Sequence, residues 1–213
     1  MLSAKHLQSL IFFKLLISLT IQHPFAILHS QIDFLRMHFL LEFFMPYEDH
    51  IQQAKDAVTC AILTISDTRT EADDKSGKII QELLQEAGHQ IGFYQVVKDE
   101  APQIREQITQ IATEGKCQVI LTNGGTGIAA RDTTYEAVTS LLEKRLDGFG
   151  EIFRFLSWED IGSGAMLSRA VAGVYKDTMI FCMPGSSGAV RLAMEKLIVP
   201  ELSHLVWEIW RQK

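Results

Sequence analysis

The feature that most constrains the fold is an alternation of two hydrophobic patterns. The run 58–65 (VTCAILTI) is almost continuously apolar and rich in β-branched residues, which suits a strand buried on both faces. Behind it, in the segment 76–87, Ile79, Ile80, Leu83, Leu84 and Ala87 recur at helical spacing, and Gly88 stands where a helix ends. Residues 90–97 then read as a second strand. Ile104, Ile108, Ile111 and Ala112 form a second helical stripe, with Pro102 in its first turn and Gly115 as its stop. Residues 118–122 (QVILT) read as a third strand. Further on, Thr133 and Glu136 have the spacing of a T-x-x-E capping box, opening a helix through Ala137, Val138, Leu141 and Leu142. The segments 171–175 and 178–183 flank Lys176-Asp177 and predict a tight hairpin, hence one antiparallel strand at an edge. From Ala189 on the pattern is helical, with Pro200 kinking or restarting it.

Strand–helix alternation with short connections implies an α/β fold, a mostly parallel sheet covered by helices on both faces. In such sheets ligands bind at the carboxyl ends of the strands. The residues standing there are therefore the candidates. Ser66, Asp67 and Arg69 follow the first strand, and Lys98, Asp99 and Glu100 follow the second. Gly124, Gly125, Thr126 and Gly127 follow the third, and then Arg131 and Asp132. Pro184, Gly185, Ser186, Ser187 and Gly188 lead out of the hairpin. Glycines permit positive φ and let successive N–H groups point into one concavity, a nest for an anion. Neither glycine-rich segment is a Walker A or a dinucleotide fingerprint, and either one alone reads more readily as a plain turn. Their common position after strands is what favours a site.

Two anion-receptive loops suit a ligand with two phosphorylated parts. Anionic reactants repel, so joining them calls for a cation. Mg2+ takes one or two carboxylates plus substrate phosphates. Asp99 and Asp132 are the candidates for both the catalytic and the metal role. Asp132 has a rival reading as a structural residue before the Thr133 cap. Arg131, next to the glycine loop, is the first choice for a phosphate contact, with Lys98, Arg154 and Arg169 behind it.

Composition removes other classes. A formal net charge of −6 argues against coating nucleic acid. The 47% apolar and 22% charged residues are the balance of an ordinary globular domain. The three cysteines, Cys60, Cys117 and Cys182, lie in apolar runs without metal-ligand spacing. They read as core residues in a reducing, cytoplasmic compartment.

Residues 1–44 do not match the rest, being rich in Phe, Leu, Ile and His. Three readings compete. A signal peptide lacks a good small-residue cleavage site around residues 25–30. A transmembrane helix is interrupted by Lys14, Gln22, His23 and Pro24. The favoured reading starts the protein at Met45, with a domain over 45–213 that has no membrane partner.

The strand-end residues resemble the MoaB/MogA family of molybdopterin-binding proteins, also found as domains of gephyrin and of plant molybdopterin synthesis proteins. The likeness is carried by residues 62–67 (ILTISD), 74–77 (DKSG), 121–127 with Arg131-Asp132, 148–154 (GFGEIFR), 167–170 (LSRA) and 183–186 (MPGS). Residues 151–159 and 168–174 look most like the bacterial MoaB branch. The resemblance implies a three-layer α/β/α sandwich and a reaction in which ATP and molybdopterin, with Mg2+, give adenylyl-molybdopterin and pyrophosphate. It assigns the two essential carboxylates to Asp99 and Asp132. It also implies a homo-oligomer, trimeric or hexameric, and hand-over of the product to a molybdenum-insertion protein. A non-catalytic molybdopterin-binding oligomer that stores or hands over the intermediate stays open as the alternative. Tyr135 departs from the family, which often has proline there, and so alters the approach to the helix after Asp132. Trp158, Trp207 and Trp210 are candidates for a subunit interface.

Overall fold

The computed structural model describes residues 57–211; the expectations for residues 1–44 and for Met45 fall outside them. Strand β1 (Thr59–Ile65) is followed by α1 (Lys75–Glu86), β2 (Gln90–Val97), α2 (Ala101–Glu114), β3 (Val119–Asn123) and α3 (Thr134–Thr139). Then come β4 (Lys144–Arg145), α4 (Asp147–Ile161), a 3-10 segment (Gly162–Leu167), β5 (Val171–Tyr175) and β6 (Thr178–Met183). The chain closes with α5 (Ser187–Ala193), a π-helical turn (Met194–Ile198) and α6 (Val199–Trp210).

The sheet runs β2-β1-β3-β6-β5-β4. Its first four strands are mutually parallel, and β5 and β4 continue it antiparallel to their neighbours. The expected hairpin therefore forms, and the two-residue β4 extends the edge beyond it. Lys176 and Asp177 both take positive φ, 47° and 59°, the turn geometry that matches the twist of the paired strands.

Alternation along each parallel strand feeds two cores. Cys60, Ile62, Val119, Leu121, Met179 and Phe181 point to the face covered by α1, α4, α5 and α6. Ala61, Leu63, Ile65, Ile120, Ile180 and Cys182 point to the face covered by α2 and α3. This is the three-layer sandwich. Helix ends follow the chemistry of the sequence. Asp74 caps α1 by accepting from the Gly77 N–H, and α2 stops at Gly115 in the left-handed region, φ 65°. Pro200 cannot donate to a preceding carbonyl. The chain adapts by widening the turn before it, where the Val199 N–H reaches back to the Met194 carbonyl.

The expected capping box does not form. Thr133 makes no side-chain cap bond, and α3 is only six residues long, ending at Thr139 instead of running through Leu142. Both members of the box have stronger long-range partners. The Thr133 hydroxyl donates to Asp99 Oδ1 at 2.8 Å, and Glu136 pairs with Arg169. Among the described residues no helix is long and apolar enough to cross a membrane.

Candidate functional site

Register brings the strand ends to one rim. Ile65 is level with Val97, Thr64 with Asn123, and Asn123 with Met183. Asp99 is buried, only 5% exposed. One of its oxygens, Oδ1, accepts both the Thr133 N–H (3.0 Å) and the Thr133 hydroxyl (2.8 Å). The other, Oδ2, faces Gly125, where a Cβ would stand 2.3 Å from it and 2.2 Å from Thr134 Oγ1. That Thr134 hydroxyl is buried with no hydrogen-bond partner.

Asp132 repeats the arrangement at the other end of the loop. Its Oδ2 accepts the Ala129 N–H at 3.2 Å and lies 2.6 Å from where a Gly127 Cβ would be. The rival structural role is thus real for one oxygen, while Oδ1 takes no hydrogen bond among the described residues. Each carboxylate is half committed to the backbone and half free. Both touch the loop 125–127, at points two residues of chain apart, at most about 7 Å.

Between them, the N–H groups of Gly125, Thr126, Gly127 and Ile128 have no hydrogen-bond partner among the described residues. Four successive unpaired amides stand beside two glycines of positive φ, 99° at Gly124 and 62° at Gly125, where an anion nest was expected. The second loop abuts the first, with Gly185 packed on Gly124. Ser186 Oγ accepts the Ala189 N–H and caps α5, and Ser186, Ser187 and Gly188 are exposed.

Two of the expected cations, Arg131 and Lys98, are already engaged. Arg131 donates to both oxygens of Asp67, at 2.7 and 2.9 Å, and to Glu100 at 2.8 Å. The Arg131 guanidinium holds the Asp67 carboxyl below the ordinary carboxylate range. Arg131 is therefore at the rim, as expected, but its direct partners are carboxylates. Lys98 is engaged by the Asp67 carbonyl. Ser66 Oγ accepts the N–H groups of Thr68 and Arg69, so its immediate work is to turn the chain after β1.

A buried polar network beneath the loops escaped the sequence reading. Asp74, fully buried, accepts from Ser76 (2.8 Å), the Gly77 N–H (3.0 Å) and Tyr94 (2.9 Å). Burial pushes its carboxyl up, but these donors more than offset that and hold it low. Ser76 Oγ also accepts from Arg69 and from Asn123 Nδ2, both at 2.8 Å, and Asn123 Oδ1 accepts from Thr64. The network ties β1, α1 and β3 immediately below Gly124. Its only sequence signal was the D-K-S-G motif at a helix start. The cysteines are free and buried, and burial pushes the Cys60 and Cys182 thiols up to about 12. They belong to the core, as expected.

The family described as "Probable molybdopterin binding domain" matches residues 61–204. The chain belongs to the MoaB/MogA family, in its bacterial MoaB branch. Molybdenum cofactor biosynthesis protein B of Bacillus cereus is 54% identical over 169 residues, 79% of this chain and 100% of the relative. The protein of the same name from Halalkalibacterium halodurans is 55% identical over 170 residues, again 79% and 100%. A crystal structure of a molybdenum cofactor biosynthesis protein B, 55% identical, superposes with a TM-score of 0.73 over 74% of this chain and 99% of the other. The tungsten cofactor synthesizing protein MoaB of Pyrococcus furiosus, 32% identical, gives 0.66 over 72% and 97%. Molybdenum cofactor biosynthesis is accordingly the process this chain serves.

Proposed function

We propose that the chain is a molybdopterin adenylyltransferase, moving AMP from ATP to molybdopterin with Mg2+ held between Asp99 and Asp132. The observation that carries the reading is the pair of half-free carboxylates at either end of four unpaired amides. A phosphate oxygen of the pterin attacks the α-phosphorus of ATP, forming the new P–O bond. The bond from that phosphorus to the β-bridging oxygen breaks, and pyrophosphate leaves with the electron pair.

The loop amides, the serine hydroxyls and the two carboxylates each fit a part of this. The amides of 125–128 receive phosphate oxygens without needing net positive charge. The Pro184–Ser187 loop, joined to them through Gly185, supplies exposed hydroxyls for the second anionic reactant. The donor set suits Mg2+. It offers hard carboxylate oxygens, with no third His, Cys, Asp or Glu close enough to complete a protein cage among the described residues. The lone buried hydroxyl of Thr134 beside Asp99 Oδ2 adds one more oxygen without a partner. When bound, the cation would neutralise phosphate charge and align the displacement. Thr133 fixes which Asp99 oxygen remains available.

A second reading keeps binding and drops transfer. It is favoured by one observation: Arg131 and Lys98 are both already engaged by Asp67, leaving fewer cations for a triphosphate. Purified full-length chain incubated with molybdopterin, ATP and Mg2+ decides between them. Adenylyl-molybdopterin and pyrophosphate in equal amounts are expected. Tight pterin binding with no AMP transfer selects the second reading.

Self-association is part of the proposal. Ile152, Phe155, Trp158 and Ile161 on α4, with Met166 and Leu167 after it, are half or more exposed. An apolar surface of that kind fits a homo-oligomer better than bare solvent. Cytoplasmic location and hand-over to a molybdenum-insertion protein complete the reading.

A further inference from the structure

Arg169 precedes β5 on the far side of the glycine loop, and it has none of the freedom of a phosphate-binding arginine. Its Nε donates to the Thr126 carbonyl at 2.8 Å, and its NH2 to the Gly127 carbonyl at 2.8 Å. The rest of the guanidinium is closed by Glu136, which accepts from NH1 and NH2. The ring of Tyr135 covers its face at 4.7 Å. A trans peptide is planar, with its C=O and the next N–H pointing in opposite directions. Fixing the carbonyls of residues 126 and 127 on Arg169 therefore aims the N–H groups of Gly127 and Ile128 away from it. Those are two of the four amides left without a partner.

We propose that Arg169 is a positioning residue that holds the 126–128 peptides in the one orientation presenting their amides to a phosphate group. It never touches the ligand. The proposal rests on reading that loop as the phosphate cradle. A planar guanidinium can bridge two successive carbonyls where an ammonium makes a point contact. Tyr135 and Glu136 keep the fork in place, so the first turn of α3 serves the loop.

The test uses full-length chain labelled with 15N, titrated with inorganic pyrophosphate and followed at the Gly127 and Ile128 amides. In the wild type these two resonances shift on binding. Arg169→Gln should abolish those shifts and weaken pyrophosphate by about tenfold or more, the value of one well-aligned charge-assisted hydrogen bond. Arg169→Lys keeps the charge and secures the test should the glutamine variant fold poorly. It should still weaken binding by roughly threefold or more, since one ammonium cannot hold both carbonyls. Thermal melting within a few degrees of wild type accompanies both effects. A lysine variant equal to wild type means charge alone matters and overturns the proposal. So does a glutamine variant that keeps the amide shifts, or a wild type whose two amides never respond. Adenylyl transfer measured in parallel separates the two readings. Intact transfer with unresponsive amides sinks only the role of Arg169. Responsive amides with no transfer sink only the reaction.

Discussion

Gly185 lies against Gly124 so closely that a Cβ on Gly185 would stand 2.9 Å from the Gly124 Cα. The two glycine-containing loops are therefore one object, and displacing either moves the other. Gly124 is the more constrained partner. Its φ is 99°, and a Cβ there would meet the Ile65 carbonyl oxygen at 2.3 Å. Gly124→Ala should cost about 2–4 kcal/mol, combining backbone strain with an overpacked contact. Gly185→Ala meets only the steric part and should cost about 1–3 kcal/mol. Denaturant melts of the two variants check the order. Equal stability of both with wild type would mean that the loops are not in register as described.

Asp99 and Asp132 each keep one oxygen uncommitted, so the proposed cation site draws on their charge and not on their shape. Asp99→Asn and Asp132→Asn should each lower adenylyl transfer by roughly a hundredfold, the scale of losing one electrostatic stabiliser. Thr133→Ala removes only the hydroxyl that anchors Asp99 Oδ1, since its backbone N–H remains. Its loss should be nearer tenfold. Turnover assays across Mg2+ concentrations check this. The two asparagine variants should resist rescue by excess Mg2+ more than Thr133→Ala does.

Asp74 makes an acid-side prediction. Its ordinary value is 3.8, and its folded value is lower because Gly77, Thr64, Ser76 and Tyr94 stabilise the charged form against burial. A depressed carboxylate adds stability that is present above the unfolded value and lost as pH falls through the folded one. The chain should therefore lose stability below about pH 4, with Asp74 contributing to the slope. Asp74→Asn should flatten that limb and cost about 1–3 kcal/mol at pH 7, where its donors face a poorer acceptor. Unfolding free energy measured from pH 3 to 7 in both proteins is the check. Parallel curves would remove Asp74 from the account.

Much of this fold was legible because local chemistry and global topology agree. Gly88 and Gly115 end helices in the left-handed region as their positions suggested. The Lys176-Asp177 turn formed, and the strand-end residues gathered on one rim. What stayed hidden was any side chain whose partner is distant in sequence. Thr133 and Glu136 have the spacing of a local capping box, yet they serve Asp99 and Arg169, 34 and 33 residues away. Arg131 has the position of a phosphate ligand, but Asp67 lies 64 residues before it and claims it first. Spacing along the chain records the alternatives a residue has nearby. It carries no trace of the competitor that the fold delivers.

The apolar face of α4 gives the last prediction. Ile152, Phe155, Trp158 and Ile161 recur every third residue, a ridge that winds slowly around the helix. Met166 and Leu167 extend it past the helix end. The opposite side of α4 is already spent on the core, through Phe149 and Phe153. Aromatic and methionine side chains are the types enriched where subunits meet. Trp158 thus stands on the face where an interface is proposed. Trp210 is tied by its indole N–H to the Asp177 carbonyl at 3.2 Å and braces α6 against the hairpin. If a second copy covers the α4 ridge, Phe155→Glu buries a charge there and should shift the protein to smaller species. The fold should persist, because Phe155 contributes nothing to the core. Sedimentation of wild type and variant at matched concentration reads this directly. A wild-type chain that sediments as a 24.0 kDa monomer would leave the ridge without a self-partner.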